Sequence, residues 1–529
     1  MALVYQMGLF FANLACRTKR PSIAAVRNLP VRLVVVNIDI ARSRRLYFRG
    51  KELVVNIHIC APLIAGWFAL VSVVMSAERP LNVLIVQTDE HHYSTLGCYG
   101  GKIVDTTHID WLAKNGALCT SFYATTPVCS PSRAALVSGL YPQKTPVVTN
   151  NIPLNGSVVT FAEVLRRRGY ATGFAGKWHL DGNGKPQWAP ERQFGFADNR
   201  FMFNRGHWKK FEVTPQGPRV AARSQQGQPT YGVDGADSKS FATDFLVDKA
   251  IDFIQEHRDQ PFCYYVSLPD PHGPNTVRAP YDTMYAGVRV PIPSTIKKPA
   301  DQIPQWAIPA KGVNANTIKK IMPHYYGMVK CIDDNIGRLI GTLREQNLLG
   351  NTVIVFTSDH GDLCGEHGRL NKGVPYEGSA RIPFIVYQPG KVRPGTVVNQ
   401  ALSCVDFFPT LMALLEQPTD LALDGRDASA LLQGQMPKDW NDVAFLRGTE
   451  TWLCAVTDRY KLIYAENETP WLLDLEMDPE ERMNHYAKPA YQQTVTRLTR
   501  ELANYMKTHD DPRSSSAKIV REMAKHLPE

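Results

Sequence analysis

The sequence predicts an α/β fold, in which helices sandwich a large, mostly parallel sheet that is followed by a smaller C-terminal α+β domain. Apolar runs such as residues 81–87 and 262–268 are typical of strands that are buried on both faces of a parallel sheet. Segments with helical periodicity separate these runs, as parallel pairing requires. After about residue 438, short strand-like runs follow one another closely and indicate the second module.

The first 77 residues differ in composition from the rest of the chain. Residues 1–59 are rich in Lys and Arg but poor in acids, which suggests an extended targeting region or an incorrectly assigned start. Residues 60–77 carry no charge and end in small residues, which predicts a signal peptide that is cleaved near Ala77. The alternatives are an uncleaved membrane anchor and a buried core helix. The signal peptide and the anchor both predict an exported protein: periplasmic, extracellular or membrane-anchored.

The elements of the large domain are predicted from periodicity and from the Gly and Pro residues that end each segment. The region 181–240 is rich in Gly, Gln and Arg and predicts loops, and the proline-rich region 273–311 predicts irregular chain. The predicted strands are 81–87, 170–175, 262–268, 352–357 and 382–387, and the predicted helices are 107–118, 159–168, 241–256, 317–346 and 404–415.

The C-terminal module is predicted to consist of short strands and one helix. Its strands are 443–446, 452–457, 461–464 and 471–475, and its helix spans about 490–507. The predicted organisation is an uncertain extension over 1–59, a signal peptide or anchor over 60–77, a catalytic domain over 80–438, a small α+β domain over 439–510 and a tail over 511–529.

Composition excludes some classes of function. The net charge of +9 suits an anionic substrate, but the basic residues are spread along the chain and do not form the footprint of a nucleic-acid-binding protein. We therefore expect no nucleic-acid partner. The ten cysteines include no Cys-x-x-Cys pair and no zinc-finger spacing. Seven cysteines remain after residue 80 when Cys129 is set aside, which argues against a full disulfide framework and leaves one or two bridges open.

Polar residues follow four of the predicted strands. In open α/β sheets, ligands bind beyond the carboxyl ends of the strands, so side chains at these ends are expected to share one site. Acids, bases and cations are all represented, as a catalytic site needs. The residues are Asp89, Lys177 with His179, His272, and Asp359 with His360.

The stretch from Cys129 to Gly139 predicts a short helix beside that site. Pro131 suits the first helical turn and Gly139 suits the end of the helix. Cys129 would precede the helix N-terminus, and Arg133 would lie one turn further on the same side. A helix N-terminus attracts anions, and the Arg133 guanidinium adds a planar set of donors. This arrangement predicts an anion site with a sulfur atom at its centre, although an inert buried cysteine is the simpler interpretation of Cys129 alone.

The pattern Cys129-x-Pro131-x-Arg133, followed by small residues and Ser138-Gly139, resembles the signature of the type I sulfatases in the alkaline phosphatase superfamily. The resemblance covers about residues 80–505 and implies the corresponding mixed, mostly parallel sheet. It also implies that Cys129 is oxidised to formylglycine, whose hydrate is the nucleophile on sulfur. The expected partner for this step is a formylglycine-generating or anaerobic sulfatase-maturating enzyme.

A second stretch, residues 353–386, resembles the longer sulfatase signature through Ser358-Asp359-His360-Gly361-Asp362 and Lys372-Gly373. The resemblance implies that Asp359 and His360 are metal ligands and that Lys372 bridges the sulfate group. Carboxylates at Asp89 and Glu90 complete a plausible site for a hard divalent cation, and Ca²⁺ is the favoured ion. Glu90 stands where the family commonly has Asp, so it is expected to ligate with shifted geometry or through water. The predicted metal set is Asp89, Glu90, Cys129, Asp359 and His360.

The remaining catalytic predictions also follow from the resemblance. Lys177 and His179 match a Lys-x-His pair, in which the lysine contacts sulfate and the histidine orients the nucleophile or aids the release of sulfate. His272 matches a histidine near the leaving oxygen, where it could protonate the leaving alcohol. Arg133, Lys177, Lys372 and the metal would neutralise the sulfate oxygens. The predicted catalytic set is Cys129, Arg133, Lys177, His179, His272 and Lys372.

We expect a sulfatase that hydrolyses a sulfate ester of a small molecule or glycan, with a carbohydrate favoured by the family and by the exported location. Two alternatives remain: a phosphoesterase or phosphonate hydrolase of the same superfamily, and a non-catalytic binder of sulfated glycans. The basic and aromatic segment 205–210 is either a contact for an anionic sugar or a solvated loop.

Overall fold

The computed structural model describes residues 79–527 and, before them, the strand residues 46–48, 51–53, 55–58 and 70–73. The chain divides into two compact units, Met1–Glu78 and Arg79–Glu529. In the first unit, strands β1 (Leu46–Phe48) and β2 (Lys51–Leu53) pair antiparallel, as do β3 (Val55–His58) and β4 (Leu70–Val73). Most of the predicted signal segment 60–77 lies outside the described residues, so it stays a prediction.

The second unit is built on a large mixed sheet, as the sequence predicts. Its eight strands run in the order β15-β6-β14-β13-β5-β12-β8-β9. Strands β5, β8, β9, β12 and β13 are parallel to their neighbours within that group, whereas β14 is antiparallel to both strands beside it. The strands are β5 (Asn82–Asp89), β6 (Ala117–Cys119), β8 (Ala171–Lys177), β9 (Asp198–Phe203), β12 (Phe262–Pro271), β13 (Thr352–Ser358), β14 (Phe384–Tyr387) and β15 (Thr396–Val398).

Helices cover both faces of this sheet, because the central strands are apolar on both. Side chains of a strand alternate between faces, so Val83 and Ile85 join one hydrophobic core while Leu84 and Val86 join the other. All eight residues of β5 are buried. The helices of the unit are α1 (Thr107–Asn115), α2 (Cys129–Ser138), α3 (Phe161–Arg167), α4 (Ala242–Glu256), α5 (Tyr281–Met284), α6 (Ala315–Glu345), α7 (Glu377–Ala380), α8 (Phe407–Leu414), α9 (Ser429–Leu432), α10 (Gln492–Thr508) and α11 (Ala517–Ala524). No helix among the described residues combines the length and the apolar composition that a membrane crossing needs.

A separate four-stranded antiparallel sheet near the C-terminus confirms the α+β texture of that region. Its order is β17-β18-β19-β20, and α10 packs against it through residues such as Leu498 and Leu502. The predicted domain boundaries at residues 438 and 510 stay predictions. The strands are β17 (Ala444–Arg447), β18 (Trp452–Val456), β19 (Tyr460–Ala465) and β20 (Trp471–Asp474).

The structure differs from the predicted elements in several places, including a helix, α11, within the predicted tail 511–529. The region 181–240, predicted as loops, contains β9 and the hairpin β10 (Phe211–Thr214) to β11 (Gly217–Val220). These strands are short and partly exposed, so they lack the apolar run by which the inner strands are recognised. The helix predicted over 107–118 ends at Asn115, and β6 follows it. Two further short strands, β7 (Phe122–Tyr123) and β16 (Leu402–Ser403), pair with each other.

A buried cluster of charges joins the C-terminal sheet to the rest of the unit. Lys461 on β19 lies 2.6 Å from Oε1 of Glu377 and 2.9 Å from Oε1 of Glu481, and Nζ donates to the Pro375 carbonyl at 2.7 Å. The lysine side chain is fully buried. Burial and the adjacent Glu377 raise the pKa of Glu481 to about 7 although Lys461 opposes the change. Lys461 therefore compensates two buried acids, one of which, Glu377, also pairs with Arg381 at 3.1 Å.

Replacing Lys461 by Met should lower the free energy of unfolding by about 3–5 kcal/mol, since it leaves the buried Glu481 without its cation and Glu377 with Arg381 alone. Chemical denaturation at pH 7 measures the change. The control is Lys518→Met, which removes a surface pair with Glu522 and should change stability by less than about 1 kcal/mol. Equal effects of the two variants would contradict this assignment.

Candidate active site

The carboxyl ends of β5, β8, β12 and β13 meet at one edge of the sheet and bring the predicted residues together. Lys177 at the end of β8 lies 2.5 Å from Oδ2 of Asp89 at the end of β5. Gly176 precedes Lys177 with φ of +109°, and a Cβ there would lie 1.8 Å from the Ser267 carbonyl oxygen on β12. Only glycine therefore allows β8 and β12 to approach closely enough at this edge.

Helix α2 delivers Cys129 to the same point. All ten residues of α2 are buried, and Gly139 ends the helix in the left-handed conformation with φ of 67°, as predicted. Ala134 and Ala135 have no exposed surface, so small side chains let the helix enter the core. Cys129 is the first residue of the helix, where free N–H groups and the helix dipole favour a negative group.

Four side chains at this point form a group that could hold a cation. The ligand atoms of Asp89, Cys129, Asp359 and His360 all lie within 4.8 Å of one another, and all four residues are buried. Oδ1 of Asp89 is buried without a hydrogen-bond partner among the described residues. A buried carboxylate oxygen that lacks a donor fits a divalent cation, which prefers oxygen ligands. The donor set therefore suits the metal that the sulfatase resemblance implies.

Arg133 organises the two carboxylates of this group. Nε donates to Oδ2 of Asp359 at 2.9 Å, and Nη2 donates to Oδ2 of Asp89 at 3.0 Å. Nη1 donates to the Lys177 carbonyl and to Oγ of Ser267, each at 2.7 Å. The predicted role of Arg133 is to neutralise sulfate oxygens, but in the structure its donors are directed at these protein acceptors. Its geometry is that of a support for the carboxylates.

The charge of Asp89 and that of Cys129 are both stabilised by nearby cations. Burial alone would raise the pKa of Asp89, but Lys177, His272 and Arg133 hold it well below its usual value. Burial would likewise raise the pKa of the Cys129 thiol, but Lys177, Lys372 and His360 hold it well below its usual value. Nζ of Lys177 lies 3.6 Å from Sγ of Cys129. The site is therefore built to hold negative charge at position 129.

His179 lies beside the first turn of α2. Its ring Nε2 lies 3.0 Å from Oδ1 of Asn151, and its carbonyl accepts from the hydroxyl of Ser130 at 2.7 Å. Its backbone is in the left-handed region with φ of 61°, which costs energy for a residue other than glycine. Burial lowers the pKa of the ring. These contacts fix a neutral imidazole beside the first turn of α2.

Glu90, His272 and Lys372 form a second cluster in the site. Oε1 of Glu90 lies 3.1 Å from Nζ of Lys372, and Oε2 lies 2.9 Å from Nε2 of His272. Lys372 and His272 are also in contact, with 2.7 Å between Nζ and Nε2. Burial would raise the pKa of Glu90, but His272 and Lys372 lower it to about 2. The carboxylate is thus engaged by these two residues and is outside the group of four, so its ligation of a metal stays a prediction.

The structure adds one residue that the predicted sets lack. His207 is stacked on His272 with 3.4 Å between ring centroids, and its Nε2 lies 2.8 Å from Nζ of Lys177. The only sequence signal for it was the basic and aromatic character of 205–210. A single histidine in a loop carries no motif, so its place at the sheet edge follows from the tertiary structure alone.

Comparison with known proteins agrees with the geometry. The sulfatase family model matches residues 81–417, and the C-terminal family model of N-sulphoglucosamine sulphohydrolase matches residues 365–508. The chain is 26% identical over 518 residues to an N-acetylglucosamine-6-O-sulfatase of Bacteroides thetaiotaomicron, covering 82% of this chain and 87% of that protein. Both predicted signatures lie within the matched regions.

Solved structures share the fold. An enzyme solved in complex with its substrate D-glucosamine-2-N,6-O-disulfate superposes with a TM-score of 0.69 at 22% identity, covering 82% of this chain and 99% of that chain. At this identity the likeness shows the fold alone. A phosphonate monoester hydrolase of Agrobacterium radiobacter superposes with a TM-score of 0.66 at 25% identity, covering 82% and 96%. The same fold is therefore compatible with both sulfate and phosphonate esters.

Asp359 and Glu90 are expected to differ in their effect on metal binding. Asp359→Asn should weaken binding by more than about 100-fold, since changes outside the ligand shell alone cost about 10- to 100-fold. Glu90→Gln should retain most of the metal, because its carboxylate lies against His272 and Lys372. Metal content after dialysis and calorimetric titration with Ca²⁺ measure both effects. If Glu90→Gln lost as much metal as Asp359→Asn, Glu90 would have to bind the cation directly.

Proposed function

This chain belongs to the sulfatase family, and on that premise we propose that it hydrolyses a sulfate ester of a carbohydrate to an alcohol and inorganic sulfate. Family membership makes it a sulfuric ester hydrolase. The proposal that the alcohol is a sugar is supported by the N-acetylglucosamine-6-O-sulfatase among its relatives. A non-catalytic glycan binder would have no need of Cys129.

One observation carries the proposal: Cys129, at the N-terminus of α2, belongs to the group of four residues that could hold a cation and lies 3.6 Å from Nζ of Lys177. The conversion of Cys129 to formylglycine by a maturation enzyme is part of the proposal. When formed, formylglycine supplies a hydrated aldehyde, with one hydroxyl to attack sulfur and a second whose deprotonation expels sulfate. Asp89, Asp359 and His360 would hold a divalent cation beside it, with Ca²⁺ favoured by the carboxylates. Such an ion supplies Lewis-acid stabilisation of negative oxygen.

The remaining residues bind the sulfate group and move protons. Lys177 and Lys372 place two ammonium groups where negative charge develops on the sulfate oxygens. His272 is the proposed acid that protonates the leaving alcohol as the ester S–O bond breaks. His179, neutral beside the first turn of α2, is the proposed base for the proton whose loss releases sulfate. Arg133 keeps Asp89 and Asp359 in place throughout.

We also propose that the protein is exported, as the N-terminal composition suggests. Residues 60–77 would direct the large unit out of the cytoplasm, either with cleavage near Ala77 or as an anchor. A maturation enzyme would then act on Cys129 before or during folding, because the side chain is fully buried once α2 has packed.

The nucleophile is tested by mass spectrometry of the tryptic peptide spanning 115–133, from protein made in a host with the maturation enzyme. We expect the mass of one thiol replaced by an aldehyde, localised to Cys129. Cys119 in the same peptide is the internal control, because it is buried in β6 away from the site. An unmodified Cys129, in a host that converts a known sulfatase, would overturn the formylglycine proposal.

Substrate class is tested by the relative turnover of aryl sulfate, aryl phosphate and phenylphosphonate monoesters. We expect kcat/KM to be highest for the sulfate, and Cys129→Ala to abolish it. Cys129→Ser is the matched control: it retains a hydroxyl but cannot form the hydrated aldehyde, so it should give at most one turnover. The structural likeness to a phosphonate monoester hydrolase makes a preference for phosphorus esters the specific alternative. A higher kcat/KM for either phosphorus ester would favour it.

A further inference from the structure

The segment 205–209 follows β9 and reaches the active site at both of its ends. At its start, Nη1 of Arg205 donates to Oδ1 of Asn151 at 2.6 Å, the same oxygen that lies 3.0 Å from Nε2 of His179. Gly206 follows with φ of +116°, and a Cβ there would lie 2.4 Å from the indole nitrogen of Trp208. The chain turns tightly at a glycine and then runs into the site.

At its end, the segment is fixed by a buried lysine. Lys209 is fully buried, pairs with Oδ1 of Asp270 at 2.5 Å and donates to the carbonyl of His272 at 2.9 Å. The hydroxyl of Thr243 donates to the other oxygen of Asp270. The backbone of His272 is thus attached to this segment by a charge that burial makes costly to displace.

Between these ends lies His207, in contact with two predicted catalytic residues. Its Nε2 lies 2.8 Å from Nζ of Lys177, and its ring is stacked on that of His272 with a centroid distance of 3.4 Å and an interplanar angle of 8°. Burial, together with the nearby ammonium of Lys177, holds the pKa of the His207 ring well below its usual value. A neutral ring accepts a hydrogen bond from Nζ of Lys177 at Nε2 and lies against His272 without charge repulsion.

We propose that His207 is a positioning residue of the hydrolysis, which orients the Lys177 ammonium by accepting a hydrogen bond and holds the His272 ring by stacking. The proposal rests on the proposed role of His272 as the acid. Two donors of Lys177 meet Asp89 and His207, and the third is directed at Cys129, the position at which sulfate would bind, so the direction of the ammonium is fixed. Removing the stack would leave the His272 ring held by its polar contacts with Glu90, Lys372 and the Gly273 carbonyl alone, with nothing packed against this face.

A second metal is the rival interpretation of this cluster. The ligand atoms of Asp89, His207 and His272 lie within 4.8 Å of one another. Nζ of Lys177, however, lies 2.5 Å from Asp89 and 2.8 Å from His207. The ammonium already supplies the positive charge that a cation would bring, so the positioning role is favoured.

Two substitutions separate the two contacts of His207. H207F keeps a ring on His272 but removes the acceptor for Lys177, and H207Q keeps an acceptor but removes the ring. The control is Lys210→Ala, since Lys210 lies in the same loop but donates to the Asp234 carbonyl outside the site. Each variant is assayed on aryl sulfates with leaving groups of increasing pKa, after its formylglycine content has been measured and its thermal unfolding compared with the parent.

For H207Q we expect kcat to fall about 10-fold for the best leaving group and about 100-fold for the poorest, because a displaced acid matters most when the leaving oxygen needs a proton. For H207F we expect a fall in kcat/KM of about 10-fold that is equal across the series, because Lys177 acts on the sulfate and not on the leaving group. Lys210→Ala should match the parent. Losses within threefold for both His207 variants, or the same loss for both across the series, would overturn the proposal.

Crystal structures of H207Q and H207F give a readout that needs no activity. A His272 ring displaced in H207Q but retained in H207F supports the positioning role, and a ring that is unmoved in both overturns it. If the parent carries formylglycine yet turns over neither an aryl sulfate nor a sulfated monosaccharide, the proposed function fails, and these two structures still decide whether His207 positions His272.

Discussion

The buried carboxylate of Asp89 is the group on which the arrangement of the site depends. It has no exposed surface, and Lys177 from β8 and Arg133 from α2 both lie within 3.0 Å of its Oδ2. Removing one partner of a buried pair costs about 3–5 kcal/mol, so each contact ties its element to the end of β5. Oδ1 remains without a donor among the described residues and is available to a cation.

Compensation of charge extends outward from Asp89. Arg133 joins it to Asp359, and Lys177 joins it to Cys129 and His207. Beyond these, Lys372 and His272 neutralise Glu90. No acid in this series lies without a cation, and the cations converge on position 129. The fold therefore makes a negative nucleophile and an anionic substrate tolerable in a buried place, which an isolated helix N-terminus could not do.

Rigid elements carry the main site residues, and a loop carries the supporting ones. The parallel strands and α2 carry the groups that must stay in place, since their backbones are fixed by hydrogen bonds on both sides and by two hydrophobic cores. The long connection after β9 contributes through a short segment that is itself fixed by Arg205 and Lys209. Such connections vary without disturbing the sheet, so they are where differences between related enzymes are expected.

The sequence by itself determined the α/β class, the inner strands, helix α2 and the residues at the strand ends. Apolar runs, the residues that begin and end helices, and the two sulfatase signatures are local patterns, so they can be recognised in the sequence without a structure. It also pointed to Cys129, Lys177, His179 and Asp359 as neighbours, because parallel strands end at one edge.

Only the tertiary structure decided which partner each group takes. Glu90 is in sequence beside Asp89, yet it pairs with His272 and Lys372, since it is one methylene longer and its backbone turns into the left-handed region with φ of 62°. His207 reaches the site from a loop without a motif. The sequence patterns also did not predict the edge strand β9 or the pairing of Lys461 with two acids that are far from it in the chain. Each depends on contacts between residues far apart in the chain, and side-chain geometry at such contacts is set by packing and charge rather than by spacing.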